Sequence, residues 1–309
     1  MDGLDLAINM AIGIIIAATP LVFAAAGELI VEKAGVLNLG VEGMMIIGAI
    51  AAFATVIETG SFLGGILAAI ICGAIMAMIF AFLTQTLLAN QVATGLALTL
   101  FGLGLAGLFG QAYSGKSVAA FPKLAIAGVS DIPVVGPLLF SHDFMVYLSF
   151  LLVAAVAWFL TFTRQGLVVR AIGENHDAAH AIGYSVTAYR YAALAFGGAC
   201  AGLGGAYLSI VQTPLWVDNM TAGRGWIALA LVVFAAWRPW RTLLGAYLFG
   251  GISIMQLHSQ ALGVHVEPQL LAMLPYLATI IVLVVISRDK FRSRLNAPAC
   301  LGMTFFATS

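Results

Sequence analysis

The sequence predicts an all-α, polytopic transmembrane helix bundle, and three observations predict it. Hydrophobic residues make up 62% of the 309 and charged residues 8%, with a mean hydropathy of +1.07; a soluble domain is only ~45–50% apolar. The apolar residues fall in runs of roughly 20 separated by short polar breaks, the length that carries a helix across ~30 Å of hydrocarbon. Glycine is abundant (34) and proline is not (9). That composition suits helices packed closely through small residues, whereas barrel strands are ~10 residues of alternating polarity.

Taken in order, the candidate spans are 9–26, 41–57, 62–84, 91–110, 143–163, 191–212, 226–237, 242–260 and 268–287. Eight to ten spans are compatible with the same hydropathy, since ends are good to ~2–4 residues. The chain is expected to be a single transmembrane domain over 1–309, with a loop at 164–190 and a tail at 288–309 as its main polar parts. Asp2 and Asp5 open the N-terminus where a cleaved signal peptide carries Lys or Arg, so the first apolar run is expected to stay in the protein.

Orientation follows from basic residues near span ends. Arg288, Lys290, Arg292 and Arg294 place the tail in the cytoplasm, and the same parity puts Arg238, Arg241 and the 164–190 loop on that side. Lys116 and Lys123 in the 111–142 segment, and the N-terminus, then fall outside.

Two stretches break the regular pattern. Residues 226–237 are too few to cross the hydrocarbon alone; either the helix borrows from the flanking residues, or it is a re-entrant half-helix of the sort that lines a cavity. In 27–43, Glu28 and Glu32 share a helix face by their i, i+4 spacing, and Gly35, Asn38, Gly40 and Gly43 then interrupt the helix. One reading is a solvated connection. The other is a broken helix entering the bundle, with Asn38 and Glu42 facing a pathway. Gly198 and Gly202 have the small-xxx-small spacing of helix packing. Gln91, Thr94 and Thr99 are polar positions on an apolar helix; the threonines can bond their own backbone, while a buried Gln91 has no such outlet.

Several function classes find no support. There is no phosphate-binding loop with a following Lys, so this chain is not expected to hydrolyse ATP. No His, Cys or carboxylate cluster has metal spacing, and Cys72, Cys200 and Cys300 are expected to be packing residues. A net charge of zero gives no ground for nucleic-acid binding. The central spans 62–110 and 143–163 carry no Asp, Glu, Lys or Arg in mid-span, where an ion-coupled carrier needs one. What remains is a neutral, Gly-rich pathway beside one polar loop, in which Asp177 to Gly183 reads acidic-Ala-Ala-x-x-x-Gly. Asp177 suits the start of a short helix, the small alanines admit a close partner, and Gly183 ends it.

That element resembles the coupling segment of ATP-binding-cassette importer permeases. Four stretches in order, Glu32–Ala49, Val92–Gly102, Gly173–Val186 and Thr221–Pro239, resemble the branched-chain amino acid/simple sugar permease family, and within it the nucleoside-type (guanosine/general nucleoside) subgroup. The resemblance covers about residues 15–287. It implies a type II importer-like permease in the bacterial plasma membrane, a transport subunit and not an enzyme. It also implies ATPase subunits that bind ATP and magnesium, a second and different permease subunit, an extracytoplasmic binding protein, and a nucleoside as substrate, with simple sugar or branched-chain amino acid as alternatives. Glu174, Asn175, Asp177, Ala178, Ala179 and Gly183 would form the coupling helices. Asn38, Glu42, Gln91, Thr94, Thr99 and Arg224 would lie along the substrate pathway, Arg224 with Gly225 at the mouth of the short helix. The chain departs from the pattern at Asp177, where Glu is general, at His176, where Pro is usual and whose replacement is expected to loosen the first coupling turn, and at Thr99, where nucleoside-type members often carry Asn. A stand-alone channel or carrier is the contrasting reading, and it has no need of a docking loop.

Overall fold

The computed structural model describes residues 3–124, 132, 134–261, 273, 277, 280, 281, 284 and 297–306. Among the described residues it is all-helical, with two isolated β-bridges and no strand. The helices are α1 (Gly3–Lys33), α2 (Val41–Thr59), α3 (Phe62–Ala81), α4 (Gln91–Gly110), α5 (Val135–Leu139), α6 (Phe144–Phe162), α7 (Arg164–Glu174), α8 (His176–Ala181), α9 (Val186–Ala206), α10 (Arg224–Phe234) and α11 (Pro239–Ala261). α3 and α9 each run on into a π-helical turn, Phe82–Thr86 and Tyr207–Gln212.

Polar residues start these helices where hydropathy alone gives no boundary. Ser61, Asn90, Asp143, Thr163, Asn175 and Ser185 each accept a hydrogen bond from the backbone N–H three residues on, the N-cap geometry that satisfies an otherwise orphaned donor. Within the apolar phase this matters, because no water is present to do it.

Among the described residues, six helices are long and apolar enough to cross a membrane: Asp5–Lys33, Val41–Thr59, Phe62–Thr86, Gln91–Tyr113, Phe144–Phe162 and Val186–Gln212. They match the first six expected spans, with two corrections. The first span runs on to Lys33, so Glu28 and Glu32 are buried inside α1 and the break shrinks to 34–40; of the two readings of 27–43, the solvated connection gives way to the broken helix. The sixth begins at Val186, so Arg190 belongs to a buried helix and not to the polar loop. Of the other expected spans, 226–237 becomes the 11-residue α10. The stretch 242–260 lies within α11, long enough to cross but diluted by Arg241, Gln256 and His258. The stretch 268–287 lies outside the described residues except for Met273, Leu277, Ile280, Ile281 and Val284, all helical and exposed.

α2 and α9 form the centre: 72% and 78% of their apolar windows are buried, against 28–39% for α1, α3, α4 and α6. Small residues permit this. Gly198 and Gly202 of α9 lie against Gly73, Ala69 and Ala77 of α3, Gly48 of α2 lies against Gly202, and Gly205 meets the Met45 carbonyl, so closely that no Cβ fits. Dispersion across such backbone-to-backbone contacts takes the place of a hydrophobic driving force. The outer faces stay apolar and bare, as at Leu63, Leu100 and Phe162, which suits lipid.

Candidate functional site: a capped half-helix and a coupling face

The centre of the bundle holds a carboxylate. Glu42, in the first turn of α2, is 2% exposed. One oxygen accepts from Thr221 Oγ1 (2.5 Å) and Gly223 N (2.8 Å), and the other from Gly225 N (2.6 Å). The two backbone donors, at Gly223 and Gly225, are N–H groups at the start of α10, where the helix dipole favours an anion. A side chain at Gly225 would bring Cβ to 2.7 Å from Glu42 Cα, so the absence of a side chain there is what lets the two backbones meet.

α10 therefore begins inside the bundle. The chain reaches it through the non-helical Thr213–Gly223 stretch, which pairs with Ser117 at Leu215 and buries Trp216 against Gly110 at the outer end of α4. α10 leaves at the opposite end, where Trp237 Nε1 donates to Glu32 near the end of α1 (2.5 Å). A non-helical stretch and a short helix thus follow one another between Trp216 and Trp237. The short-span puzzle resolves as a half-helix whose N-terminus is capped by a glutamate from α2.

The break at 34–40 is accounted for group by group, as backbone in an apolar setting must be. Leu37 N donates to Gln91 Oε1 (2.8 Å), Gly40 N donates to Asn38 Oδ1 (3.1 Å), and the Leu39 carbonyl accepts from both Thr99 Oγ1 (3.1 Å) and Trp226 Nε1 (3.0 Å). Asn38 Nδ2 donates to Glu28 Oε2 (3.2 Å). Beside this knot lies a cleft of about 640 Å³, lined by Leu103, Asn219, Ala222, Trp226 and Ala230 with Glu42 at its base. The structure thus joins Asn38, Glu42 and Thr99 with the mouth of α10. Arg224 sits on that first turn and donates to the Met220 carbonyl (3.1 Å). Thr94 is half-buried one turn before Leu98. Gln91 stands apart: its amide is committed to Leu37 and, through Nε2, to the Met303 carbonyl (3.5 Å).

At the end that the basic residues assign to the cytoplasm, α7 and α8 form a pair outside the bundle. Asn175 ends α7 and caps α8 through Oδ1 (2.9 Å to Ala178 N), and Gly183, at φ +95°, ends the turn after α8. Glu174, Asn175, Asp177, Ala178 and Gly183 are exposed, while Ala179 packs inward on Val168, Ile172 and Val186. His176, where the resemblance expects a looser turn, is buried. Its Nδ1 lies 3.2 Å from Arg190 Nη2, and its ring sits 5.3 Å from that of Phe305. Burial and then the neighbouring guanidinium hold this imidazole below its ordinary pKa, against a smaller opposing pull from Asp177.

Three groups here were not singled out from sequence. Arg190, wholly buried, donates to the Ala34 carbonyl (3.1 Å), Gln85 Oε1 (3.3 Å) and the Met303 carbonyl (3.1 Å); only its place at the edge of an apolar run hinted at a role. Trp237 and the tail around Phe305 gave no local signal. Among the described residues, no three His, Cys, Asp or Glu side chains converge as metal ligands.

Comparison with known proteins fits this architecture. Over 94% of its length the chain is 41% identical to 94% of the putative glucose ABC transporter permease protein TsgC13 of Haloferax volcanii. It is 32% identical to the guanosine ABC transporter permease protein NupQ of Bacillus subtilis, over 93% of each chain, and 31% identical to the nucleoside ABC transporter permease protein NupC of Lactococcus lactis, over 94% of each. No solved structure matches. The profile of the family described as branched-chain amino acid transport system/permease component matches residues 10–285, and the chain belongs to that family of ABC transporter permeases, as a multi-pass protein of the plasma membrane.

Proposed function

We propose that this chain is the translocating subunit of an importer for a small neutral polar solute, a nucleoside first, powered by ATP and magnesium bound in separate ATPase subunits. The observation that carries the reading is the pair α7–α8: two helices outside the bundle, with Glu174, Asn175, Asp177 and Ala178 turned to solvent and their inner side fixed to the core. A face so built has a purpose in a partner-driven machine and none in a channel that works alone. Closure of the ATPase pair would push α7–α8, and that movement would tilt the bundle between inward- and outward-open states. The second permease subunit of the pair is read as a different chain, and delivery as the work of an extracytoplasmic binding protein.

Neutrality of the solute follows from the cleft. Its one carboxylate, Glu42, has both oxygens taken up by Thr221 and the α10 backbone, which leaves an indole, an amide and small apolar residues to meet a ligand. Trp226, 43% exposed, offers a ring face to a nucleobase. The same face suits the C–H side of a sugar, and the 41% identity to a relative named for glucose favours hexose as the second reading.

The test is co-purification in mild detergent followed by uptake. The intact chain is expected to retain an ATPase subunit, and Asp177→Arg with Gly183→Pro to lose it. In proteoliposomes with the ATPases and binding protein, guanosine should enter with ATP and glucose should not compete. Competition by glucose alone would move the assignment to hexose. No ATP-dependent uptake of either, with no ATPase bound, would end the permease reading.

A further inference from the structure

The C-terminal segment 297–306 does not hang free of the bundle. Cys300 N donates to the Gly173 carbonyl at the end of α7 (2.8 Å), and Gly302 N donates to the Gly35 carbonyl in the break between α1 and α2 (3.1 Å). The Met303 carbonyl accepts from Arg190 of α9 (3.1 Å) and from Gln91 of α4 (3.5 Å). Phe305, 8% exposed, lies with its ring 5.3 Å from both His176 and His180, on either end of α8, and joins Val168, Ile172, Ala179 and Val186 in a small core. Gly173 is pressed between the Lys33 carbonyl and Pro298.

These contacts form a chain of links. α8 is held by Phe305, α7 by Cys300, the break by Gly302, and the break again through Met303, Gln91 and Leu37. The break leads directly into α2 and Glu42. A solvent-facing helix pair and a buried hinge are thereby joined by a ten-residue strap, independently of the covalent path through α9.

We propose that residues 297–306 are a working part of the coupling apparatus: a clasp that makes the turn between α1 and α2 follow α7–α8, with Phe305 as its positioning residue. The inference rests on the ATPase-driven reading above. The fastening must be stiff in both directions, and the paired features supply this. Backbone hydrogen bonds fix the strap along its length, and an aromatic ring wedged between two imidazoles fixes it against α8. Coupling of this kind travels through contiguous packed and hydrogen-bonded groups, and it needs an element both ends can bias.

The experiment uses the assembled complex with its ATPases, so that no substrate need be known. Spin labels at Thr59→Cys, the outer end of α2, and Phe144→Cys, the outer start of α6, report movement of the bundle, in a background with Cys72, Cys200 and Cys300 replaced by alanine. In the otherwise intact chain, trapping the ATPases with ATP and vanadate is expected to shift the distance between the labels. Phe305→Ala, and a chain ending at Asn296, should keep their ATPases bound and hydrolysing while the shift shrinks by about tenfold; Phe305→Tyr, which keeps the ring, should restore it. A merely structural role would show as lost ATPase binding with no rescue. Should the truncated chain fail to assemble, Phe305→Ala and Gln91→Leu still decide. A full shift in Phe305→Ala and Gln91→Leu overturns the clasp, and so does no shift in the intact chain, since there would be no movement to carry. Failure of the intact chain to bind any ATPase is a different result, and it removes the permease reading itself.

Discussion

The half-helix knot at Glu42 and the coupling face at α7–α8 use the same devices in opposite surroundings. Both place an acidic residue at or near a helix N-terminus, Glu42 at α10 and Asp177 in the first turn of α8. At Glu42 the side chain is buried and accepts from two backbone N–H groups and a hydroxyl. At Asp177 the side chain is 79% exposed and approaches only His176, at 3.7 Å. The difference teaches where function resides in each. The first carboxylate holds the protein's own chain together, and the second is left for something else to meet.

The comparison breaks most sharply at Glu42. Glu42→Ala strands the buried Thr221 hydroxyl and Gly225 N–H and opens the part-buried Gly223 N–H to the cleft, at about 1–3 kcal/mol for each unsatisfied buried donor. We expect a loss of about 3 kcal/mol or more, read as a lower melting temperature in detergent and little folded protein. Glu42→Gln, which keeps one accepting oxygen and turns an NH2 toward a donor, should fall between. Asp177→Arg should leave the melting temperature unchanged. Equal melting temperatures for wild type and Glu42→Ala would mean that the knot is not what holds α10.

How much of this was legible in the sequence depends on how local the physics is. Length and hydropathy suffice for six spans, because crossing a bilayer is a property of one helix at a time. The shortness of 226–237, twelve residues against the ~20 a crossing needs, was likewise visible, while the glycines of 27–43 left a broken helix carrying Asn38 and Glu42 inward as one of two readings. The identity of Glu42's partners was not visible, because Thr221, Gly223 and Gly225 lie some 180 positions away and no pattern pairs them with it. Glu28 and Glu32 could not decide between the two readings of 27–43, since two carboxylates i, i+4 apart look the same on a wet helix and on one that turns them toward Asn38 and Trp237. Arg190 was counted with the loop because a charge at the edge of an apolar run ordinarily snorkels to water; here four acceptors wait for it inside. The tail was passed over for the opposite reason. Ten mixed residues carry no periodicity, and their role rests on contacts with α4, α7, α8 and α9.

Arg190 sharpens the comparison because it belongs to both regions, touching the break at Ala34 and the coupling helix at His176. Arg190→Met keeps the apolar stem and removes the donors. Its acceptors are neutral, so the loss should be smaller than at Glu42, about 1–3 kcal/mol. Unlike Glu42→Ala, the variant should also bind the ATPase less well, since His176, the first residue of α8, loses its anchor in the bundle. A variant that melted lower yet bound the ATPase as tightly as wild type would separate the two regions again.

The smallest expected effect is the pH dependence of the coupling face. His176 accepts from Arg190 through Nδ1, which requires the neutral ring with its proton on Nε2. Protonation removes that lone pair and sets a second cation against the guanidinium, while exposed Asp177 offsets only part of this. The native ring accordingly binds its proton less readily than the ordinary imidazole value of 6.5. The sign follows: the unfolded chain takes up more protons, so the contribution of His176 is complete above 6.5 and is lost as pH falls through the lower native value. Hydrogen exchange at Asn175 and Ala179, whose N–H groups bond Ala171 and Asn175, should therefore report more frequent opening between about pH 7 and about pH 5, once intrinsic exchange is corrected. His176→Phe keeps a ring against Phe305 and has no proton to gain, so its opening should be flat over the same range. The same slope in both proteins would assign the effect to another group. A slope confined to wild type would show that even the exposed face is tied, through one imidazole, to the buried arginine behind it.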